Sequence, residues 1–243
     1  MYQTSVICML IFAHRGASGV EPENTLRAIQ AALDANVDGI EIDIHQVDDK
    51  LFVIHDRWLH RTTSGKGQIV QHSYEHLRSL DAGDGEVIPT LDEVLSLVAG
   101  KCTINLELKN ITNINLLFKY IDEALIATKL EVEDIVLSSF NHRLLYLIHQ
   151  KMPQYLLGAL TASYPLEYAK FAEQLNAFSV NLDINFISEN FVKDAHQRGL
   201  KVFVYTVDEI EDINAMKAIG VDGIYSNFPS RALSHIAHLN KFS

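Results

Sequence analysis

The sequence predicts an α/β protein: a closed (β/α)₈ barrel with a small insertion subdomain after the third strand. Three observations predict it. Nine strand-like runs alternate with helix-like runs almost to the end of the chain. Repeated βα units imply a parallel sheet, and eight or nine of them favour closure over the rival doubly wound open sheet. The length of 243 residues matches the ~250 residues such a barrel takes in one domain. Finally, a polar, Gly-rich stretch at 56–89 breaks the rhythm with no linker or low-complexity tract beside it. It reads as an insertion within a single domain spanning 1–243, and a connection of that size is usually functional.

The elements follow in order. The apolar run 7–13 is the first strand; it is too short to cross a bilayer, which needs ~20 residues. No Lys or Arg precedes it and no small-x-small cleavage site follows. The start therefore reads as a short, dispensable leader into a strand, without a signal peptide, in a cytoplasmic protein. Over 25–36 a helix places Leu26, Ile29, Leu33 and Val37 on one stripe, with Asn24 or Thr25 as cap. Strand runs at 39–45 and 51–54 come next. Past the insertion, which shows only a brief helical hint at 74–80, strands are expected at 103–108, 135–138, 155–159, 177–181, 202–206 and 223–226. Helices are expected at 91–98, 114–127, 142–149, 166–175, 189–197 and 209–219. Only five prolines occur, and none breaks a strong helical run.

Composition narrows the function classes. With 48% apolar and 21% charged residues the chain is globular, which excludes disordered, collagenous and coiled-coil proteins. A net charge of -11 repels polyanions, so duplex DNA and anionic membrane surfaces are poor partners. A small, singly charged anion can still bind where a local site offsets that field. Cys8 and Cys102 sit in apolar runs far apart, without a CxxC or a Cys–His neighbour. They read as buried thiols in a reducing compartment rather than zinc ligands.

Strands of a parallel barrel are covered on both faces and should be apolar throughout. Two are not. In GIEIDIH, Glu41, Asp43 and His45 alternate with isoleucines; in TINLELK, Asn105, Glu107 and Lys109 alternate with Ile104, Leu106 and Leu108. Period two puts Glu41 and Asp43 on one face, about 7 Å apart along the strand. Buried carboxylates need a neutralising partner. A half-exposed antiparallel sheet would explain neither their acidic bias nor their βα setting. The pattern points to a hard divalent cation, Mg²⁺ or Ca²⁺, held by oxygen atoms of Glu41, Asp43 and Glu107. His14 follows the first strand and His55 the third, so both are expected at carboxyl ends of strands, where barrel sites lie.

With the cation bound and both histidines neutral, the three carboxylates, Arg15 and Lys109 leave one net positive charge. A phosphodiester carries one negative charge and would balance it. Cleaving such a diester requires a base for the attacking oxygen, an acid for the leaving alkoxide, and shielding of the phosphoryl oxygens. Two histidines, a metal, Arg15 and Lys109 can supply these.

The run HRGASGVEPENTLRAIQAALDANVDGIEIDIHQVDDKLFVIHD closely resembles the amino-terminal signature of glycerophosphodiester phosphodiesterases. The similarity continues through RTTSGKGQI, IPTLDEVL, INLELK, the SSF at 138–140, VFVYTVD and GVDGIYSNFP, and so covers nearly the whole chain. The resemblance implies a TIM barrel with an inserted subdomain after the third strand. It also implies hydrolysis of small-molecule glycerophosphodiesters, such as glycerophosphocholine and glycerophosphoethanolamine, to an alcohol and glycerol 3-phosphate. Glu41, Asp43 and Glu107 then match the metal ligands, His14 and His55 the acid/base pair, and Arg15 and Lys109 the phosphate contacts. Glu23 and Asn24 would orient His14 or line the site, with helix capping an equal reading for Asn24. Thr62, Thr63 and Gly65 would shape a rim, and Phe140 and Phe228 an apolar wall or part of the core. Two departures stand out. The usual Trp-Thr-Val-Asn reads Tyr205-Thr206-Val207-Asp208 here, which leaves a ring at the site to contact substrate, and the usual acid after the final strand is Asn227. The alternatives are a lysophospholipase-D-like enzyme, which would need an exposed apolar rim or an anchor for lipid, and a catalytically silent barrel that binds glycerophosphate.

Overall fold

The computed structural model describes residues 9–240. Nine strands are described: β1 (Leu10–His14), β2 (Gly39–Val47), β3 (Lys50–Val53), β4 (Thr103–Asn110), β5 (Ile135–Ser139), β6 (Leu156–Thr161), β7 (Ser179–Asp183), β8 (Lys201–Tyr205) and β9 (Gly223–Ser226). All but β3 run parallel in one sheet, and β1 closes it by pairing with both β9 and β2. The closed eight-stranded barrel expected from the repeated βα units is therefore present. Ile7 and Cys8, placed in the first strand from sequence, and the supposed leader lie outside the described residues. Cys102 is a free, half-buried thiol just before β4.

The alternation within each strand sorts its side chains. Ile40, Ile42, Ile44, Ile104, Leu106 and Leu108 join the apolar layer beneath the helices. Those helices are α1 (Leu26–Asp34), α3 (Leu91–Val98), α4 (Ile114–Ala127), α5 (His142–Lys151), α6 (Lys170–Gln174), α7 (Glu189–Gln197), α8 (Ile210–Ile219) and α9 (Pro229–Asn240); α2 (Tyr74–Ser79) belongs to the insertion. Thr25, not Asn24, caps α1, its hydroxyl accepting the Ala28 amide. Two helices depart from expectation. α6 is five residues rather than ten, because Pro165 and a left-handed Tyr168 (φ 42°) hold the preceding chain in turns, leaving Leu166 wholly exposed. α9 was not expected at all; it starts on Pro229, whose fixed φ suits a first helical position.

A tetrapeptide, Val-Asp-Gly-Ile, occurs twice, at 37–40 and 221–224, and does the same work each time. Asp38 Oδ2 accepts the Ile11 amide at 2.8 Å, and Asp222 Oδ2 accepts the Val202 amide at 2.8 Å, so each ties the neighbouring strand. The following glycines make room for aromatic rings inside the barrel. A Cβ on Gly39 would come within 2.2 Å of the Phe12 ring, and one on Gly223 within 2.7 Å of Phe203. Phe12, Phe203 and Tyr225 then pack at 5.2–6.1 Å, Phe12 and Phe203 edge to face and Tyr225 tilted against both, and plug the interior. Tyr225 Oη meets the amides of Asn105 (2.9 Å) and Asn181 (3.2 Å) from across the barrel, so the filling turns polar toward the carboxyl ends.

β3 corrects one expectation. The βα pattern predicts a strand parallel to the others, but β3 is antiparallel to β2, which runs past the barrel rim and folds back through a two-residue turn at Asp48-Asp49 (Asp48 φ 51°). The hairpin returns the chain to the rim, where the Ile54 amide donates to Asp43 O at 3.0 Å. His55 thus reaches the carboxyl end of the barrel from a strand pointing the opposite way. The insertion at 56–89 packs on this hairpin through its own small cluster, in which Val47, Phe52 and Ile54 meet Leu59, Ile69, Leu77 and Leu80. Arg78 fastens it to α3 with two hydrogen bonds to Glu93, of 2.8 and 2.6 Å.

Candidate active site

β2 and β4 are neighbours in register, with Asp43 opposite Glu107, so the alternation of both strands delivers three carboxylates to one place. Glu41 is 3%, Asp43 1% and Glu107 9% exposed. One oxygen from each lies within 4.8 Å of the others. Asp43 is well supplied. Its Oδ2 accepts from Asn24 Nδ2 at 2.9 Å and faces Arg15 Nε at 3.4 Å, and its Oδ1 lies 3.1 Å from Lys109 Nζ. Burial pushes its pKa up, but Lys109, Arg15 and His55 outweigh that and hold it at about 2. Glu41 and Glu107 are placed differently. Burial and then the neighbouring carboxylates push Glu41 well above the usual range and Glu107 up to about 7. Glu41 Oε2 accepts the Arg15 amide at 2.9 Å, but its buried Oε1 has no partner. Three converging carboxylates, one of which keeps an unsatisfied oxygen, fit a hard divalent cation.

The two histidines flank this cluster, each held through Nδ1. His14 Nδ1 lies 2.8 Å from Asn227 Oδ1, and its Nε2 is 4.0 Å from Glu41 Oε2. Burial, followed by the charge of Arg15, lowers its pKa to about 4. His55 Nδ1 lies 2.6 Å from Asp56 Oδ1. Arg61, from the insertion, contacts the other oxygen of Asp56 and donates to both oxygens of Glu23 at 2.8 and 2.7 Å. Glu23 in turn accepts from Arg15 Nη1 at 2.9 Å. A continuous chain of hydrogen bonds and ion pairs therefore runs from His55 through the insertion to Arg15. Lys109 Nζ contacts Glu107 as well as Asp43.

His14, Arg15, Glu41, His55, Glu107 and Lys109, all singled out from sequence, line one cavity of about 160 Å³. Asp43 sits in the same carboxylate cluster. Tyr205 is on its wall, with its ring edge-on to Phe140 at 6.2 Å and its hydroxyl donating to Thr161 O at 3.0 Å. Of the two parts expected for Glu23 and Asn24, orienting His14 is not the one observed. Neither is bonded to His14; Glu23 braces Arg15 and Arg61, while Asn24 both donates to Asp43 Oδ2 and accepts its amide. Phe140 edges the cavity, but Phe228 packs beneath Gly19 and under the Arg231 guanidinium. Thr62 and Thr63 line an adjoining hollow with Glu23, and Gly65 faces Leu80 and Leu59 within the insertion. Sequence reasoning passed over Asp56 and Arg61, although Asp56 adjoins His55. It also passed over Tyr225, an apolar-looking position in a buried strand. The two departures from the family pattern turn out to face each other, with Asn227 Nδ2 donating to Asp208 Oδ2 at 2.7 Å.

Residues 14–231 match the profile of the glycerophosphoryl diester phosphodiesterase family. The chain belongs to this family. A glycerophosphodiester phosphodiesterase of Caldanaerobacter subterraneus subsp. tengcongensis is 35% identical over 237 residues, covering 93% of this chain and 96% of that protein. One from Bacillus altitudinis is 37% identical, covering 92% and 96%. Among solved structures of the same fold, an Oleispira antarctica phosphodiesterase in complex with the product sn-glycerol-3-phosphate superposes with a TM-score of 0.86 at 28% identity, covering 94% of this chain and 96% of that one. No helix among the described residues is long and apolar enough to cross a membrane.

Proposed function

We propose that the protein hydrolyses glycerophosphodiesters, such as glycerophosphocholine and glycerophosphoethanolamine, to glycerol 3-phosphate and the free alcohol. It does so as one unit over residues 1–243, in the cytoplasm, where a free Cys102 suits a reducing compartment. The observation that carries the reading is the gathering of two histidines, two cationic side chains and the buried carboxylates in one cavity.

Glu41, Asp43 and Glu107 would hold one Mg²⁺ or Ca²⁺ ion. When bound, such a cation shields the negative charge that develops on the phosphoryl oxygens. Arg15, fixed by Glu23, and Lys109 present further positive charge to the same oxygens. Both histidines have Nδ1 engaged, which leaves Nε2 of each as the working nitrogen. One ring takes the proton from the attacking hydroxyl, whether of water or of the glycerol moiety. The other gives a proton to the departing alkoxide. Tyr205 would meet the substrate on the wall beside Phe140.

The test is release of glycerol 3-phosphate from glycerophosphocholine by the purified protein. Treatment with EDTA should abolish release, and Mg²⁺ or Ca²⁺ should restore it. Absence of release with either ion would overturn the reading. A second reading, cleavage of lysophospholipids, draws on Phe140, which is 49% exposed at the cavity edge and could lie against an acyl chain. Faster release of choline from lysophosphatidylcholine than from glycerophosphocholine would favour it.

A further inference from the structure

The aim of His14 is set from the opposite end of the chain. We propose that Asp208 is a positioning residue that acts through Asn227: it fixes the orientation of the Asn227 amide, and so makes Nδ1 of His14 the protonated nitrogen and Nε2 the free one. The inference rests on the reading of His14 as one of the acid/base pair, and adds to it two residues that never touch substrate.

The argument is one of donors and acceptors. A carboxylate only accepts. Asp208 Oδ1 accepts the Asn227 amide proton at 2.8 Å and the Ser226 hydroxyl at 3.0 Å, so the loop after β9 holds it firmly. Arg231 also grips its carbonyl oxygen, from α9. With Asp208 Oδ2 only 2.7 Å from the Asn227 side chain, the atom facing it must be the amide nitrogen. The amide oxygen is thereby turned the other way, 2.8 Å from His14 Nδ1 and 2.9 Å from the Ser18 hydroxyl, whose proton is shared with the His14 carbonyl at 2.7 Å. An amide oxygen has no proton to give, so Nδ1 of His14 must carry one. Thr206 Oγ1, 3.4 Å from the same nitrogen, is too distant to compete. In the neutral ring the lone pair then sits on Nε2, the nitrogen that faces Glu41 and the cavity.

The decisive measurement is nitrogen NMR of the histidine rings above neutral pH, correlating ring protons with both ring nitrogens in the whole protein. Wild-type His14 should show the Nδ1–H tautomer; an Nε2–H ring would overturn the proposal without any variant. In Asp208→Asn two amide nitrogens would oppose each other, so the Asn227 amide should turn over. His14 should then switch to Nε2–H, and kcat should fall roughly 10- to 100-fold with KM little changed. The double exchange Asp208→Asn with Asn227→Asp rebuilds every donor and acceptor in mirror order. It should restore both the Nδ1–H tautomer and turnover to within a few-fold of wild type. A single variant that loses turnover while keeping the Nδ1–H tautomer would show a structural role only and refute the proposal. Because the tautomer is read without substrate, its outcome stays separate from that of the hydrolysis assay.

Discussion

Asp222 enters the barrel at its amino end and Glu41 stands at its carboxyl end, and these two buried acids are partnered in opposite ways. Asp222 accepts the Val202 amide and His196 at 2.8 Å each on one oxygen and Lys201 at 2.8 Å on the other. Those partners hold its pKa below the usual range against the pull of burial. Glu41 shares its pocket with two further carboxylates and keeps one oxygen unpaired. Burial alone does not mark an acid as functional. Asp222 has its partners within the protein, whereas Glu41 is left with an oxygen free for a partner from outside it.

The sharpest way to break that contrast is at His14 and His55, which line the cavity at the carboxyl end. His14→Ala or His55→Ala should lower turnover about 10²- to 10⁴-fold, yet leave cation binding in calorimetry unchanged, since neither belongs to the proposed ligand set of Glu41, Asp43 and Glu107. Loss of cation binding in either variant would mean that the roles are misassigned. Next, Glu107→Gln should weaken Mg²⁺ or Ca²⁺ binding and turnover together, each by about 100-fold. Its Tm should hold or rise, because a costly buried charge is gone.

At the other end the signs reverse. Asp222→Asn should leave kcat near wild type but cost about 1–2 kcal/mol in urea unfolding at neutral pH. The folded pKa of Asp222 lies below its ordinary 3.8, so this stabilisation is complete above that value and is lost as the pH falls through the folded pKa. Wild type and variant should therefore converge in strong acid. A gap that persists there would assign the loss to packing rather than charge. The smallest effect is expected at Arg61, whose pairs are partly exposed and screened. Arg61→Ala should reduce turnover only a few-fold, the loss shrinking as salt rises, with cation affinity unaltered.

The parts of the site legible in the sequence are those encoded by local pattern. Period two in GIEIDIH and TINLELK was enough to put Glu41, Asp43 and Glu107 on one polar face. Strand–loop boundaries placed His14, and the family signature carried the remaining assignments. What stayed hidden depends on which segments become neighbours. The reversal of β3 turns on two aspartates, a weak hairpin signal beside an Asn-Gly pair. Asn24, expected as a cap or a partner of His14, was claimed by Asp43 because β2 lies beside the first loop. The ties from Asp208 to Asn227 and from Arg61 to Glu23 join residues 19 and 38 positions apart, and no periodicity reports such pairs.

His14 and the residue that steadies it are separated by 213 positions, because the first strand is sealed in place by the last. At ~5–20 residues per second of synthesis, Asn227 leaves the ribosome on the order of tens of seconds after His14. A nascent chain halted before that point already carries both histidines and all three acids, but not the seam between β1 and β9. Synthesis therefore delivers these side chains early and the seam that aligns His14 with Asn227 late.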